Sequence, residues 1–330
     1  MTDLDVFGWQ ADENGCGYYR IQLPMQALAG LGHQVGHGLR MPNSVRDNPN
    51  TVIVGQRVCN PAPSITWQRL AAAGRKLVYE IDDDLWNIDA TSPAAHAFFA
   101  QPDIRANMQH NIEVAAAVTV TTEPLADIVR QWNPNVHVIP NAVPDWLVDH
   151  QPQQRDDGTL TIGWGGSATH QMDFGEVAGP LRKHLSRTPG AEFHCLGTNY
   201  AQWMRLPENR VRFTPWVPDV ETFLRSIDYH VGLMPLRPHV FNRSKSGLKA
   251  LECGALGIPV VASAVRPYED YVMDNETGYL VRRDHQWAAS LRALRAEPDM
   301  RAEMGAAARL QARQHTISHR AALWEKAILG

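Results

Sequence analysis

Apolar residues along this chain come in short continuous runs, separated by stretches where they recur every three or four positions. A parallel α/β sheet requires that alternation. In the first half, strands are expected at 4–9, 34–39, 51–55, 76–81, 118–121 and 136–139. A turn containing Gly15 and Gly17 leads into an amphipathic helix ending near Leu31, and further helices are expected near 104–116 and 124–132. The stretch 151–158, Gln-Pro-Gln-Gln-Arg-Asp-Asp-Gly, is polar and aperiodic, as an interdomain linker is. A second series follows, with strands at 159–164, 192–196, 210–213, 229–234, 259–262 and 279–281, and an almost wholly helical end at 286–329. Two such halves form a cleft, and open α/β sheets bind ligands beyond the carboxyl ends of their strands. The site is expected between the two domains.

Length agrees with two domains, since 330 residues is about twice the usual domain size. Hydrophobic residues at 44% and charged residues at 20% exclude a disordered or fibrous chain. The longest nearly apolar stretch, 254–265, contains Pro259 and is too short to span a bilayer, so no integral membrane association is expected. The start, Met-Thr-Asp-Leu-Asp, lacks the basic and apolar regions of a secretory signal, which places the chain in the cytoplasm. Cys16, Cys59, Cys195 and Cys253 have no Cys-x-x-Cys spacing, so reduced thiols are expected and neither a zinc site nor a disulfide. A net charge of −4 argues against a globally basic nucleic-acid binder. One local exception is the stretch 40–76, where Arg40, Arg46, Arg57, Arg69, Arg75 and Lys76 face the single acid Asp47. Such a stretch is either a solvated face or a nucleic-acid patch.

Four segments carry candidate chemistry. Gly15-Cys-Gly17-Tyr-Tyr-Arg20 follows a strand and opens a helix, as a phosphate-approaching turn does. Arg20 stands where a dinucleotide fingerprint has its third glycine, which leaves an anion or sugar site, or only a tight turn. Gly163-Trp-Gly-Gly166-Ser167-Ala-Thr169-His170 offers glycines and hydroxyls at a strand-to-helix turn, suited to a diphosphate. His170 there is either part of the site, a helix cap or a core histidine. In Asn242-Arg243-Ser244-Lys245-Ser-Gly247-Leu-Lys249-Ala-Leu-Glu252, Arg243 and Lys245 lie just before or within the first turn of a helix, where cations and amide dipoles hold phosphate oxygens. Glu252, seven residues beyond Lys245, is placed about two turns on along the same face, where a carboxylate accepts from vicinal ribose hydroxyls. The alternative is a surface helix with ordinary charge pairs. Finally, Glu80-Ile-Asp82-Asp83-Asp84 ends a strand, and Asp82-x-Asp84 matches either a metal-binding pair, acids facing the cleft, or a solvated helix start.

The segment from Lys245 to Ser263 resembles the nucleotide-binding signature of GT-B glycosyltransferases, particularly the large retaining family with a Glu-x7-Glu motif followed by Gly-x-Pro-Val-Val-Ala. Glu252 matches the second glutamate, which holds the ribose in that family, and Gly247 its glycine; Ser244 stands in place of the first, sugar-contacting glutamate. The form is similar to a branch common in bacterial and phage enzymes. At lower specificity, Gly15 and Gly17 resemble the N-domain glycine loop, Pro140-Asn141 the end of that domain, and 163–170 the phosphate loop.

The resemblance implies an α/β GT-B fold of two Rossmann-like domains facing a central cleft. Its boundaries are 1–150 for the acceptor domain, 151–314 for the donor domain and 315–330 for a helix crossing back onto the first. It implies hexosyl or related sugar transfer to a hydroxyl, with retention and without a metal or other cofactor. The donor is a nucleotide-diphosphate sugar, UDP-linked or alternatively GDP-linked. Arg243, Lys245, Asp82 and Asp84 are the expected catalytic residues, and Gly15, Gly17, Gly166, Ser167, His170, Ser244, Gly247 and Glu252 the donor-binding ones. The acceptor is a glycan or lipid-linked sugar, or a hydroxylated base in phage DNA, in a bacterial or phage-infected cell. Rival readings are a non-catalytic sugar-nucleotide or glycan-binding protein and a metal-dependent Asp-x-Asp glycosyltransferase.

Overall fold

A computed structural model of the chain describes residues 4–330; residues 1–3, which begin the segment read for a signal, lie outside it. The chain forms two compact units. The first comprises residues up to Ala142 together with Ser244–Ser246 and Ile317–Gly330, and the second Val143–Arg243 and Gly247–Thr316. The chain thus passes from the first unit to the second ahead of 151–158. That polar stretch is pinned within the second unit, where Arg155 Nη1 donates to Glu192 (3.0 Å) and the Arg155 carbonyl lies 2.9 Å from His230 Nε2.

The first unit holds a parallel sheet of β1 (Val6–Trp9), β2 (Val35–Gly38), β3 (Val52–Gln56), β4 (Leu77–Ile81), β5 (Ala117–Val120) and β6 (Val136–Val138), in spatial order β2-β1-β3-β4-β5-β6. The central strands β3, β4 and β5 are buried along their whole length, which is why they read as unbroken apolar runs. On one face Phe7, Ile53, Tyr79 and Val118 pack with Trp67, Met108 and Ile112 from helices Pro61–Ala72 and Pro102–Glu113. Helix Ile317–Leu329 belongs to this unit, anchored where Glu325 meets His33 (2.7 Å) and where Lys76 Nζ donates to the Gly330 carbonyl (2.9 Å).

The second unit holds β7 (Leu160–Gly166), β8 (Ala191–Gly197), β9 (Val211–Pro215), β10 (Val231–Met234), β11 (Val260–Ser263) and β12 (Gly278–Val281), again all parallel, in order β12-β11-β10-β7-β8-β9. Apolar clusters cover both faces of this sheet, one centred on Ile162, Phe193 and Trp287, the other on Tyr229, Leu251 and Val260. The strand orders differ. In the first sheet the chain reverses its winding between β1 and β3, in the second between β7 and β10, and open sheets take ligands at such reversals, outside the carboxyl ends. Among the described residues, no helix is long and apolar enough to cross a membrane.

Candidate active site

In the second unit β7 runs on through Gly166, which pairs with Gly197 of β8, so the glycines expected in the turn are the last residues of the strand. Ser167 then opens a 3₁₀ turn ending at His170. Tyr200 holds this turn, donating from its hydroxyl to the Ser167 carbonyl (2.9 Å) and accepting from the His170 amide (3.0 Å). Burial pushes the Tyr200 phenol up to about 12, so it remains a donor at neutral pH. His170 Nδ1 lies 2.9 Å from the buried Asp173 carboxylate, whose other oxygen accepts the Arg237 amide (3.0 Å) from the loop after β10. His170 therefore ties two loops together at the winding reversal.

Helix Leu248–Ala255 follows that loop, with Gly247 at its N-cap. A Cβ on Gly247 would lie 2.2 Å from the Pro267 carbonyl oxygen, so only glycine permits this approach of backbone to backbone. A Cβ on Gly166 would lie 3.1 Å from Lys249 Cε, which places the Lys249 side chain against the end of β7. Buried Glu252 is three positions beyond Lys249, hence on the same side of the helix. Lys249 thus brings a cation to the glycine turn, with Glu252 one helical turn further along the same side. Arg243 ends the short helix Val240–Arg243 in the same unit, exposed, with its carbonyl accepting from Arg266 (3.2 Å).

Lys245 is placed differently from the sequence expectation. The helix begins at Leu248, so Lys245 is not on it and the two-turn relation to Glu252 does not hold. Ser244–Ser246 belongs instead to the first unit, where the Ser244 carbonyl accepts from Thr122 Oγ1 (2.8 Å), Ser246 Oγ accepts from Asn141 Nδ2 (2.9 Å), and Lys245 Nζ pairs with Asp83 (3.4 Å).

The first unit gathers its polar residues at the carboxyl edge of its sheet. After β1, Asp12 Oδ1 accepts the amides of Asn14 (2.9 Å) and Gly17 (3.1 Å), taking the place expected for an anion. A Cβ on Gly17 would lie 1.9 Å from the Asp12 carbonyl oxygen, so this glycine serves a tight turn; Gly15 is in open space. The π-helical turn Tyr18–Gln22 carries Arg20 inward. There its Nε donates to Glu80 (2.6 Å) and one Nη to Ile139 O (2.7 Å) and Asn141 Oδ1 (3.1 Å), while its guanidinium stacks on Trp324 at 4.7 Å. Arg20 is thus a buried tie among β4, the end of β6 and the C-terminal helix.

After β4 the three acids diverge. Asp82 turns toward Arg57, Asp83 toward Lys245, and Asp84 is fully buried, with Oδ2 accepting from Asn87 (2.8 Å). Burial pushes Asp84 above the usual carboxylate range. Asp84 therefore does not face an open site as expected, and the spacing Asp82-x-Asp84 does not converge two carboxylates on one point. Part of the basic stretch 40–76 is engaged within the fold, while Arg40, Arg46 and Arg69 are exposed. Arg75 donates to the carbonyls of Val45, Arg46 and Thr51, Arg57 pairs with Asp12, Arg46 with Asp47, and Lys76 caps Gly330.

Comparison with solved structures follows this geometry. Sucrose-phosphate synthase from Thermosynechococcus elongatus superposes with a TM-score of 0.66 at 14% identity, covering 98% of both chains. Anabaena HepE, solved with UDP-glucose, gives 0.68 at 13% identity, again over 98% of both. The chain has the GT-B fold. TarM gives a TM-score of 0.65 at 16% identity over 87% of this chain and 56% of its own. Residues 179–326 match the glycosyl transferase-like family model. Two curated proteins named D-inositol 3-phosphate glycosyltransferase match shorter segments: that of Arthrobacter sp. (strain FB24) at 39% identity over 29% of this chain, and that of Pseudarthrobacter chlorophenolicus at 35% over 32%. The matched segments span only 21% and 24% of those relatives.

Within this GT-B chain, the expected residues Gly166, Ser167, His170, Arg243, Gly247 and Glu252 fall in the second unit, and Gly15, Gly17, Asp82, Asp84, Ser244 and Lys245 in the first. Lys249 and Asp83 were not singled out from the sequence. A basic residue three before Glu252, on the same helical face, was the available signal for Lys249; nothing in the sequence pairs Asp83 with a residue 162 positions away.

Proposed function

We propose that the chain is a nucleotide-sugar glycosyltransferase. The observation that carries this reading is the convergence at the carboxyl end of β7: the Gly166–Ser167 turn, the Lys249 side chain against it, and Glu252 on the same side of helix Leu248–Ala255. A diphosphate lies against the turn, with the Ser167 hydroxyl donating to it and the Lys249 ammonium neutralising its charge, while Glu252 accepts from two ribose hydroxyls. As the sugar C1–oxygen bond breaks, its electron pair passes to the diphosphate, which Lys249 stabilises. The acceptor hydroxyl bonds to C1 on the same face and gives its proton to the departing phosphate oxygen, so configuration is retained and no protein base is required. A lysine serving the leaving group supports a metal-independent reaction, and the divergence of Asp82 and Asp84 weighs against a metal-dependent one. A UDP-sugar is the favoured donor, supported by HepE with UDP-glucose and by TarM with UDP and α-GlcNAc-glycerol. The acceptor is a glycan or other sugar hydroxyl. A DNA acceptor is less favoured, because Arg57, Arg75 and Lys76 of the basic stretch are engaged by Asp12, by backbone carbonyls and by Gly330.

The test is thermal unfolding against UDP-, GDP-, ADP- and dTDP-sugars, each with EDTA and with magnesium. A donor at 100 times its Kd adds about 2.7 kcal/mol, which moves the midpoint by several degrees. Stabilisation by one series in EDTA is expected. Stabilisation only with magnesium refutes the metal-independent site, and no shift with any donor refutes the assignment.

A further inference from the structure

In the second unit a close approach of backbones delivers the loop after β8 to the turn at Ser167. Gly197 ends β8 with a φ of +96°, and a Cβ there would lie 2.5 Å from the Gly166 carbonyl oxygen, so the meeting of the two strand ends requires glycine. The Thr198 amide then donates to that same Gly166 carbonyl (3.1 Å). Three residues past the glycine, Tyr200 enters the core, 3% exposed, its ring edge-on to Trp164 at 5.2 Å and tilted against Phe174 at 4.9 Å. Packing on two aromatic neighbours fixes the ring, and the ring fixes where its hydroxyl meets the backbone of the turn.

That hydroxyl bridges the two ends of the turn, donating to the Ser167 carbonyl (2.9 Å) and accepting from the His170 amide (3.0 Å). The first of these bonds matters most to an anion. A carbonyl oxygen carries partial negative charge, and one turned toward a diphosphate repels it. Bound to the buried Tyr200, the Ser167 carbonyl is directed inward instead. The exposed side keeps the Ser167 hydroxyl, whose Oγ lies 3.1 Å from Thr169 Oγ1, so two hydroxyls able to donate stand together. Gly165 and Gly166 precede Ser167 and give the chain little resistance of its own to rotation there, so the Tyr200 bond supplies the restraint.

We propose that Tyr200 is a positioning residue for the donor: by holding the Ser167 carbonyl away from the diphosphate, it leaves the Ser167 and Thr169 hydroxyls to bind it. The proposal rests on the glycosyltransferase reading. Tyr200 acts through the turn without touching the diphosphate, and the gain comes from a backbone already set before the donor arrives. Its effect therefore falls on the phosphates and spares the nucleoside. A role confined to packing with Trp164 and Phe174 makes no such distinction.

Calorimetry with the nucleoside diphosphate of the stabilising series and with its nucleoside separates the two roles, UDP and uridine being the expected pair. Tyr200→Phe keeps the ring in its packing and removes only the hydroxyl. It is expected to weaken the diphosphate about 5- to 10-fold, the worth of one hydrogen bond, while the nucleoside changes by less than about twofold. Leu291→Ala, in the same apolar cluster but on helix Asp284–Ala296, is the control for lost packing: its Tm falls and its ratio of diphosphate to nucleoside affinity stays that of the wild type. Ser167→Ala leaves Tyr200 in place and is expected to weaken the diphosphate selectively as well. In that background Tyr200→Phe costs a smaller factor than in the wild type, because one hydroxyl it positions is gone. Equal losses for diphosphate and nucleoside in either variant, an unchanged diphosphate affinity in Tyr200→Phe, or full additivity of the two substitutions overturns the positioning role while the wild type still binds the diphosphate. A wild type that binds no nucleoside diphosphate overturns the glycosyltransferase reading and this role with it.

Discussion

Replacing Arg20 by Leu tests the structural account of the first unit most directly. Arg20 and Glu80 are 1% and 0% exposed, and Arg20 makes its ion pair, two further hydrogen bonds and a stacking contact on Trp324. Removing one member of a buried pair typically costs about 3–5 kcal/mol, because the other is left charged and unpaired. Glu80 has an escape, however. Burial pushes it up to about 7 even with the Arg20 charge and hydrogen bond pulling it down, so without Arg20 it goes higher and stays protonated through neutral pH. An acid whose folded value lies above its unfolded value contributes stability that is present at low pH and lost as pH rises through the folded value. The wild type completes that loss near pH 7, while the variant goes on losing stability above it. The deficit is therefore expected to be about 2 kcal/mol at pH 6, from the lost hydrogen bonds and stacking, and about 3–5 kcal/mol at pH 8.5. Urea unfolding followed by tryptophan fluorescence at both pH values measures it, and the double variant Arg20→Leu/Glu80→Leu should recover at least half of the deficit at the higher pH. A loss below about 1 kcal/mol at both pH values, a gap that shrinks as pH rises, or a double variant no better than the single ones refutes the reasoning.

Three further outcomes follow from other positions. Lys249→Ala should weaken UDP binding about 10- to 100-fold by calorimetry while barely changing uridine binding, and equal losses for both ligands would remove Lys249 from the diphosphate. Gly247→Ala puts a Cβ 2.2 Å from the Pro267 carbonyl and should cost about 1–3 kcal/mol, so an unchanged Tm would deny that close approach. His184 is buried with neither ring nitrogen hydrogen-bonded, and burial followed by Arg292 and Arg295 lowers it from 6.5 to about 4. Its contribution is complete above pH 6.5 and lost as pH falls toward 4, so His184→Leu should lessen the acid destabilisation by about 1–2 kcal/mol after allowing for solvent screening; identical acid limbs in the two proteins would count against this.

Strands were the most legible feature because those of a parallel sheet are buried on both faces and leave unbroken apolar runs. All twelve expected strands exist, and the helical end was read correctly in kind. Less legible was the strand order. The first sheet places β3 beside β1, the second places β9 at the edge beyond β8, and nothing in the local pattern of either half distinguishes them. Site residues were legible where the signal was local. Gly247 and Glu252 could be placed from the helix and the following Gly257-Ile-Pro259 stop. Lys245 could not, because a helical spacing counted across the N-cap assumes a helix where the chain is a loop, and that loop belongs to the other unit. Arg20 shows the reverse problem. Its position in a glycine motif points to phosphate, whereas its partners Glu80 and Asn141 are distant in sequence and make it structural.

The two sheets share their architecture and differ in what their carboxyl edges carry, and on the proposed reading that difference divides donor from acceptor. In the second unit the edge suits a polyanion: glycines clear the strand end and a lysine is laid against it, with the buried acid Glu252 one turn further along the helix. At the carboxyl edge of the first unit carboxylates outnumber cations, and Arg20, Arg57 and Lys245 are each matched to an acid. On the proposed reading, a diphosphate presented with both edges is favoured at only one of them, whereas an uncharged acceptor is repelled by neither. Discrimination between donor and acceptor thus does not require two differently shaped folds. It requires that a few side chains at equivalent ends of similar sheets carry opposite charge. The sequence conceals this because Lys245, just ahead of helix Leu248–Ala255, pairs with Asp83 in the first unit, while Lys249, four residues further on, remains with the glycine turn in the second.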